Sequence, residues 1–253
     1  MVEKWSIPYP AYTGEEPRNV YVYLPDGMDG RERLPVLYMF DGHNVFFDED
    51  ATYGTSWGMG AYMDETNTRM MIVAVECNHS PDNGRLSEYS PFSFEDPHLG
   101  HVTGRGQETM DWFTQELKPL IDRRYPTKPG RAHTFIAGSS MGGLMSLYAV
   151  LCYNQVFSRA AALSPSLWVA PKKLTQLIDE ADIRPGTVVY MDYGAKEMRS
   201  RRHMRRAFAT VGGRLIERRV LLPSRIVPHG EHSEASWSRQ IPFFINTLLY
   251  EQS

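Results

Sequence analysis

The stretch that most constrains this chain is residues 134–150, TFIAGSSMGGLMSLYAV. It opens as a short apolar strand, breaks at Gly138-Ser139-Ser140-Met141-Gly142, and resumes with Leu144, Leu147, Tyr148 and Leu151 at helical spacing. This is G-x-S-x-G set between a strand and a helix, the context in which the pattern has chemical meaning. So tight a turn strains the backbone of Ser140 and leaves no room for side chains at Gly138 or Gly142. The Ser140 hydroxyl then stands clear of the main chain at a helix N-terminus, whose free N–H groups favour negative charge. In a chain of 253 residues, average usage predicts roughly 0.1 chance matches. A Gly/Ser-rich phosphate loop would look similar, but no G-x-x-x-x-G-K-[ST] is present. The nucleophile reading therefore requires a base and an acid elsewhere.

Around this stretch, apolar runs alternate with helical periodicity. Residues 18–24 and 35–40 are predicted strands, 60–67 a helix, and 70–75 another buried strand. Helical spacing covers 110–125, strands are expected at 159–163, 187–191 and 215–222, and a small helix lies at 174–178. A basic helix is expected over 198–211. A last helix covers 233–250, kinked or broken at Pro242. Such alternation predicts an α/β fold: a mostly parallel central sheet with helices on both faces. Residues 77–106 are polar and rich in Pro, Gly and His, too long for a connector, and read as an insertion or flap within a single domain spanning 1–253.

In parallel sheets the chemistry gathers at the carboxyl ends of strands. A serine hydroxyl needs a general base and a group to orient that base, and in this architecture they follow in the order serine, acid, histidine. Of the eight histidines, His203, His229 and His232 come after the acid candidates. His203 falls in the basic helix. His232 stands at the start of the last helix and is the expected base, with His229 an ordinary loop residue. The loop after TVVYM offers Glu197 and Asp192 as acids, and a serine–histidine dyad without either stays open. The tetrahedral intermediate needs donors aimed at its oxygen. The N–H of Met141 and one from Gly42 or His43 are the candidates.

Net charge is −3, which disfavours nucleic acid as a partner. No apolar run approaches a membrane span, and the N-terminus lacks a signal-peptide core, so a cytoplasmic protein is expected. Cys77 and Cys152 form no C-x-x-C and read as buried small hydrophobes in a reducing compartment. His79, His98 and His101 are too scattered to suggest a metal, and no cofactor is expected. The Arg199–Arg206 cluster reads as a solvated helix face, or as a guard that attracts an anionic substrate. Phe46, Phe47, Tyr53, Trp57, Tyr89, Phe92, Phe94 and Trp168 read mainly as core, with a few available to accept an aryl group.

Taken in order, LPVLYMFDGHN, RLSEYSP, ELKPLIDRRYP, FIAGSSMGGLMSLYA, FSRAAALSPSLW and GEHSEASW resemble blocks of the putative esterase family of α/β hydrolases, the esterase D-like group. The resemblance spans residues 17–249. It implies an α/β-hydrolase fold, Ser140 as nucleophile, His232 as base and an acid at Glu197, where many relatives carry Asp in G-T-x-D. The Asp41-Gly42-His43 loop resembles that of siderophore esterases more than the H-G-x-G loop of formylglutathione hydrolases. The implied reaction is hydrolysis of a small acyl or aryl ester through an acyl-enzyme. Acyl transfer on the same machinery, or a non-catalytic binding protein of this fold, are the alternatives. The expected partner is a small-molecule ester, and homo-oligomerisation stays open.

Overall fold

Along Val36–Met39 and into Phe40, successive side chains enter two different cores. Val36, Tyr38 and Phe40 join one apolar cluster, while Leu37 and Met39 join the other. A strand alternates its faces, so an unbroken apolar run means that both faces are covered. The same alternation recurs where Ile136 faces one core and Phe135 and Ala137 the other.

The computed structural model describes residues 1–9, 17–28, 31–198 and 202–250. The strands are β1 (Val2–Ile7), β2 (Arg18–Tyr23), β3 (Val36–Met39), β4 (Met71–Val75), β5 (Phe94–Asp96), β6 (Gly100–Val102), β7 (Thr134–Ser139), β8 (Arg159–Leu163), β9 (Val188–Gly194) and β10 (Ser224–Val227). Eight of them form one sheet in the order β1-β2-β4-β3-β7-β8-β9-β10. Every pairing from β4 to β10 is parallel, and β1 and β2 add an antiparallel edge.

The helices are α1 (Met59–Glu65), α2 (Gly84–Glu88), α3 (Gly106–Trp112), α4 (Lys118–Arg124), α5 (Met141–Cys152), α6 (Pro171–Glu180), α7 (Ala195–Met198), α8 (Arg202–Glu217), α9 (Glu234–Ser238) and α10 (Ile241–Leu249). Side chains from α1, α9 and α10 fill one core, and those from α3, α4, α5, α6 and α8 fill the other. The expected α/β layering is therefore present. In α5 every residue from Met141 to Leu151 is buried, so the helix that carries the G-x-S-x-G turn is apolar all round rather than striped.

Several elements differ from expectation, each for a physical reason. Strand β1 was not anticipated; it lies at the sheet edge, where half-exposed residues give no buried run. Of the strand expected at 215–222, residues 215–217 are instead the end of α8, because Val211 and Leu215 are buried at helical spacing, and beyond the turn that follows only Leu221 bridges to Val188. The true final strand, β10, is an edge strand in which only Val227 is buried. The last helix is two, α9 and α10, with Pro242 in the first turn of α10, where its missing N–H costs nothing. The helix expected over 110–125 begins earlier and passes through a π-turn at Phe113–Leu117, just before Pro119. The basic helix expected over 198–211 is α7 followed by α8; residues 199–201 lie outside the described residues. Residues 77–106 hold α2 and the β5–β6 hairpin, which packs Phe94 edge-on against Trp168.

Candidate active site

Ser140 sits between β7 and α5 at φ 56° and ψ −119°, a region essentially reserved for glycine. Its neighbours explain how the strain is held. A Cβ on Gly138 would lie 2.7 Å from the Gly142 carbonyl carbon, and one on Gly142 would lie 3.0 Å from Phe40 Cβ. The Ser140 N–H donates to the Leu163 carbonyl at 2.9 Å, and its carbonyl accepts from Ser166 N–H at 2.9 Å. The turn is thus sewn to the end of β8 on one side and seated on Phe40 on the other.

His232 arrives from the loop between β10 and α9. Its Nε2 lies 3.0 Å from Ser140 Oγ, and its Nδ1 lies 2.6 Å from Glu197 Oε2. The imidazole meets the Trp237 indole edge-on at 4.9 Å, which fixes the ring plane. Glu197, in α7 just beyond β9, is held at its other oxygen: Oε1 accepts from Ser164 Oγ at 2.7 Å and from Gly194 N–H at 2.9 Å. Burial alone would raise the Glu197 pKa, but the bonds from His232 and Ser164 outweigh it and hold the carboxyl below its usual range. The Gly194 position also rests against Gly230: a Cβ on Gly230 would lie 2.8 Å from Gly194 Cα. Two glycines let the acid loop and the histidine loop touch.

Asp192, the other acid candidate, is a different kind of group. It is 1 % exposed. Its carboxylate accepts from the Tyr190 hydroxyl at 2.8 Å and from Ser164 N–H at 3.2 Å. Burial raises its pKa to about 7.

The oxyanion candidates lie where the turn after β3 meets the start of α5. Met141 and Gly42 each open a helical turn, α5 and the 3-10 turn Gly42–Asn44, so neither N–H has a partner within its own helix. A Cβ on Gly42 would fall 2.7 Å from the Ala74 carbonyl carbon, so only glycine fits against the end of β4. Preceding it, Asp41 takes a left-handed conformation, φ 56°. Its carboxylate accepts both arms of the Arg85 guanidinium, Nε at 2.6 Å and Nη2 at 2.7 Å. Burial works against ionisation of Asp41, yet the Arg85 charge wins and keeps the carboxyl below its usual range. His43 is buried, and its Nε2 lies 3.0 Å from Thr52 Oγ1.

Ser140 and His232 border two cavities. A cleft of about 680 Å³ is lined by Asp41, His43, Tyr53, His79 and Arg85. A smaller one, about 300 Å³, is lined by Met141, Ser166, Trp168, Tyr193 and Met204. Of the rim aromatics, Tyr53 (80 % exposed) and Trp168 (39 %) face these cavities, whereas Phe46, Trp57, Tyr89 and Phe94 are core.

The sequence reading had not singled out Ser164 or the Arg85–Asp41 pair for the site. Ser164 carried one signal, its position at the carboxyl end of β8. Arg85 carried only its place at the head of the RLSEYSP block, with no role attached, inside the aperiodic 77–106 segment. His79 is brought beside His43 and Cys77, and His101 pairs with Glu95 on the β5–β6 hairpin.

Among the described residues, no helix is long and apolar enough to cross a membrane. A protein of Bacillus subtilis named YbbA, uncharacterised, is 25% identical over 194 residues, covering 75% of this chain and 72% of that one. The siderophore triacetylfusarinine C esterase of Aspergillus fumigatus is 28% identical over 161 residues, covering 60% of this chain and 52% of the other. Among solved structures, an IroE-like serine hydrolase from Shewanella oneidensis superposes with a TM-score of 0.75 at 18% identity, over 97% of this chain and 79% of that one. Its fold and this one are the same α/β-hydrolase architecture. A family model described as putative esterase matches residues 12–249, and this chain belongs to that family of carboxylic ester hydrolases.

Proposed function

We propose that Ser140, His232 and Glu197 work as a nucleophile, base and acid that hydrolyse an ester through an acyl-enzyme. The observation that carries this is the unbroken proton path: Oγ to Nε2 at 3.0 Å, then Nδ1 to carboxylate at 2.6 Å. Ser140 Oγ attacks the ester carbonyl carbon as His232 Nε2 takes its proton. Glu197 fixes the tautomer that leaves Nε2 free to accept, and then stabilises the imidazolium. The oxyanion lies against the N–H of Met141 and of Gly42 or His43. His232 returns the proton to the departing alcohol, and water repeats the sequence on the acyl-enzyme. Asp192 is a structural carboxylate in this reading. The chain acts as one α/β domain, with residues 77–106 as an insertion that walls the cleft.

For substrate we favour a small acyl or aryl ester. The larger cavity accepts one side of the ester, where Tyr53 offers an aromatic face, and the smaller accepts the other beside Trp168. The Aspergillus relative's activity places siderophore esters in the test panel, beside acetyl, feruloyl and formylthio esters. Ser140→Ala is expected to lower p-nitrophenyl acetate turnover at least about a thousandfold. A fluorophosphonate probe should label Ser140 in the native chain. Near-normal turnover by the alanine variant, or labelling elsewhere only, would refute the assignment.

A further inference from the structure

At the mouth of the larger cleft, outside the Ser140–His232–Glu197 path, three metal-ligating side chains converge. His43, Cys77 and His79 each place one donor atom within 4.8 Å of the other two. They come from separate places: His43 from the turn after β3, Cys77 and His79 from the chain leaving β4. The imidazole rings meet edge-on at 4.8 Å. Each ring is anchored through Nε2. His43 Nε2 lies 3.0 Å from Thr52 Oγ1, and His79 Nε2 lies 3.3 Å from Glu76 Oε1. The Nδ1 nitrogens are the ones left over. His43 Nδ1 is buried with no hydrogen-bond partner, on a residue only 6 % exposed, and His79 Nδ1 faces Cys77 Sγ at 4.0 Å.

That arrangement is how proteins prepare imidazoles for a metal. One ring nitrogen bonds to a hydroxyl or carboxylate, which sets the tautomer and aims the lone pair of the other. Buried polar atoms ordinarily find partners, so the orphaned His43 Nδ1 itself asks for one. We propose that His43 Nδ1, Cys77 Sγ and His79 Nδ1 form a binding site for a divalent metal ion of zinc-like preference. One sulfur and two imidazole nitrogens are a zinc donor set, and three protein ligands leave a fourth position for water or a ligand atom. Tetrahedral zinc with these bond lengths separates its donors by roughly 3.3–3.6 Å. The widest of these separations therefore closes by about 1 Å on binding, with His79, the exposed member of the three, the freest to move. On binding, the Cys77 thiol gives up its proton to solvent and the thiolate takes the metal. The Asp41 carboxylate, which the thiol otherwise faces, remains paired with Arg85.

The test uses Zn²⁺ alone on the chelator-stripped, full-length chain, read by titration calorimetry rather than by ester turnover, so that it stands or falls independently of the esterase assignment. One equivalent should bind. His79→Ala and Cys77→Ser should each weaken binding by at least about tenfold. His101→Ala, on the distant hairpin, should leave it unchanged. Because Cys77 is buried and its variant could misfold, Co²⁺ binding to the wild-type chain gives a second reading: thiolate ligation produces a near-ultraviolet charge-transfer band. Less than one equivalent of Zn²⁺, unchanged affinity in His79→Ala, equal losses in His101→Ala, or a Co²⁺ complex without that band would each overturn the site.

Discussion

Asp192 and Glu197 stand at the same end of the same strand, and the molecule treats them in opposite ways. Asp192 is still inside β9, fully enclosed, and its partners are the Tyr190 hydroxyl and the Ser164 N–H. Glu197 lies past Gly194, where a helical turn swings its carboxylate out to the His232 imidazole. Burial lifts one pKa to about 7, while hydrogen bonds hold the other below its usual range. Reaching the His232 imidazole is therefore not a matter of being at the strand end. What separates the two is that Glu197 has donors enough to stay ionised. The two are nonetheless linked through Ser164. Its N–H serves Asp192, and its hydroxyl serves Glu197 while accepting from Trp237 Nε1 at 3.1 Å. Ser164 itself sits at φ 42°, a strained position for serine, and Asp192 helps to pin it there.

The sharpest way to break this comparison is to neutralise each acid in turn. In Glu197→Gln an amide N–H faces His232 Nδ1 and pushes the ring proton onto Nε2, where it can no longer accept from Ser140. Turnover is expected to fall about 10²–10⁴-fold with little change in KM. Asp192→Asn should cost less than about threefold. Steady-state kinetics on both variants checks the ranking, and its reversal would move the acid to Asp192.

A smaller effect tests the link between them. Ser164→Ala removes a donor to Glu197 and leaves the buried Trp237 N–H without an acceptor. About 1–3 kcal/mol of stability should go, seen as a lower denaturation midpoint, together with roughly a tenfold loss in kcat. A variant that melts earlier but turns over normally would show that Ser164 supports the fold and not the acid.

How far the chain could be read before folding follows from the same contrast. Buried strands announced themselves because both faces are apolar, and G-x-S-x-G stood out because the turn tolerates little else. Glu197 and His232 were reachable because each follows a strand or opens a helix. Edge strands β1 and β10 were illegible: with one side in solvent they carry few apolar residues, and for β10 the neighbouring Leu215 and Val220 imitated a strand. Arg85, Ser164 and the meeting of His43 with Cys77 and His79 depend on contacts between distant loops. Such contacts leave no periodic trace. The difference between Asp192 and Glu197 was of this kind too, since it rests on which donors the fold supplies.

The last predicted effect leaves turnover aside; it is thermodynamic and concerns the charge state of Asp192. A carboxyl whose pKa is raised in the folded state holds its proton there after the unfolded chain has lost it. Between the ordinary value of 3.8 and about 7 the folded state thus binds more protons, and stability declines as pH rises through that window. Above about 7 the penalty is complete. Glu88, buried beside Arg18 and likewise raised to about 7, adds a decline over nearly the same range. Asp192→Asn removes the first contribution and leaves the second. Asn can still accept from one donor, and the Tyr190 hydroxyl can turn to accept from the new amide, so the pocket stays satisfied. Denaturant midpoints measured from pH 4 to pH 8 should therefore fall less steeply for Asp192→Asn than for the wild-type chain, with the variant gaining relative stability toward the alkaline end. A parallel pair of curves would mean that Asp192 is ionised in the folded state throughout. The contrast with Glu197 would then lie in geometry and not in charge.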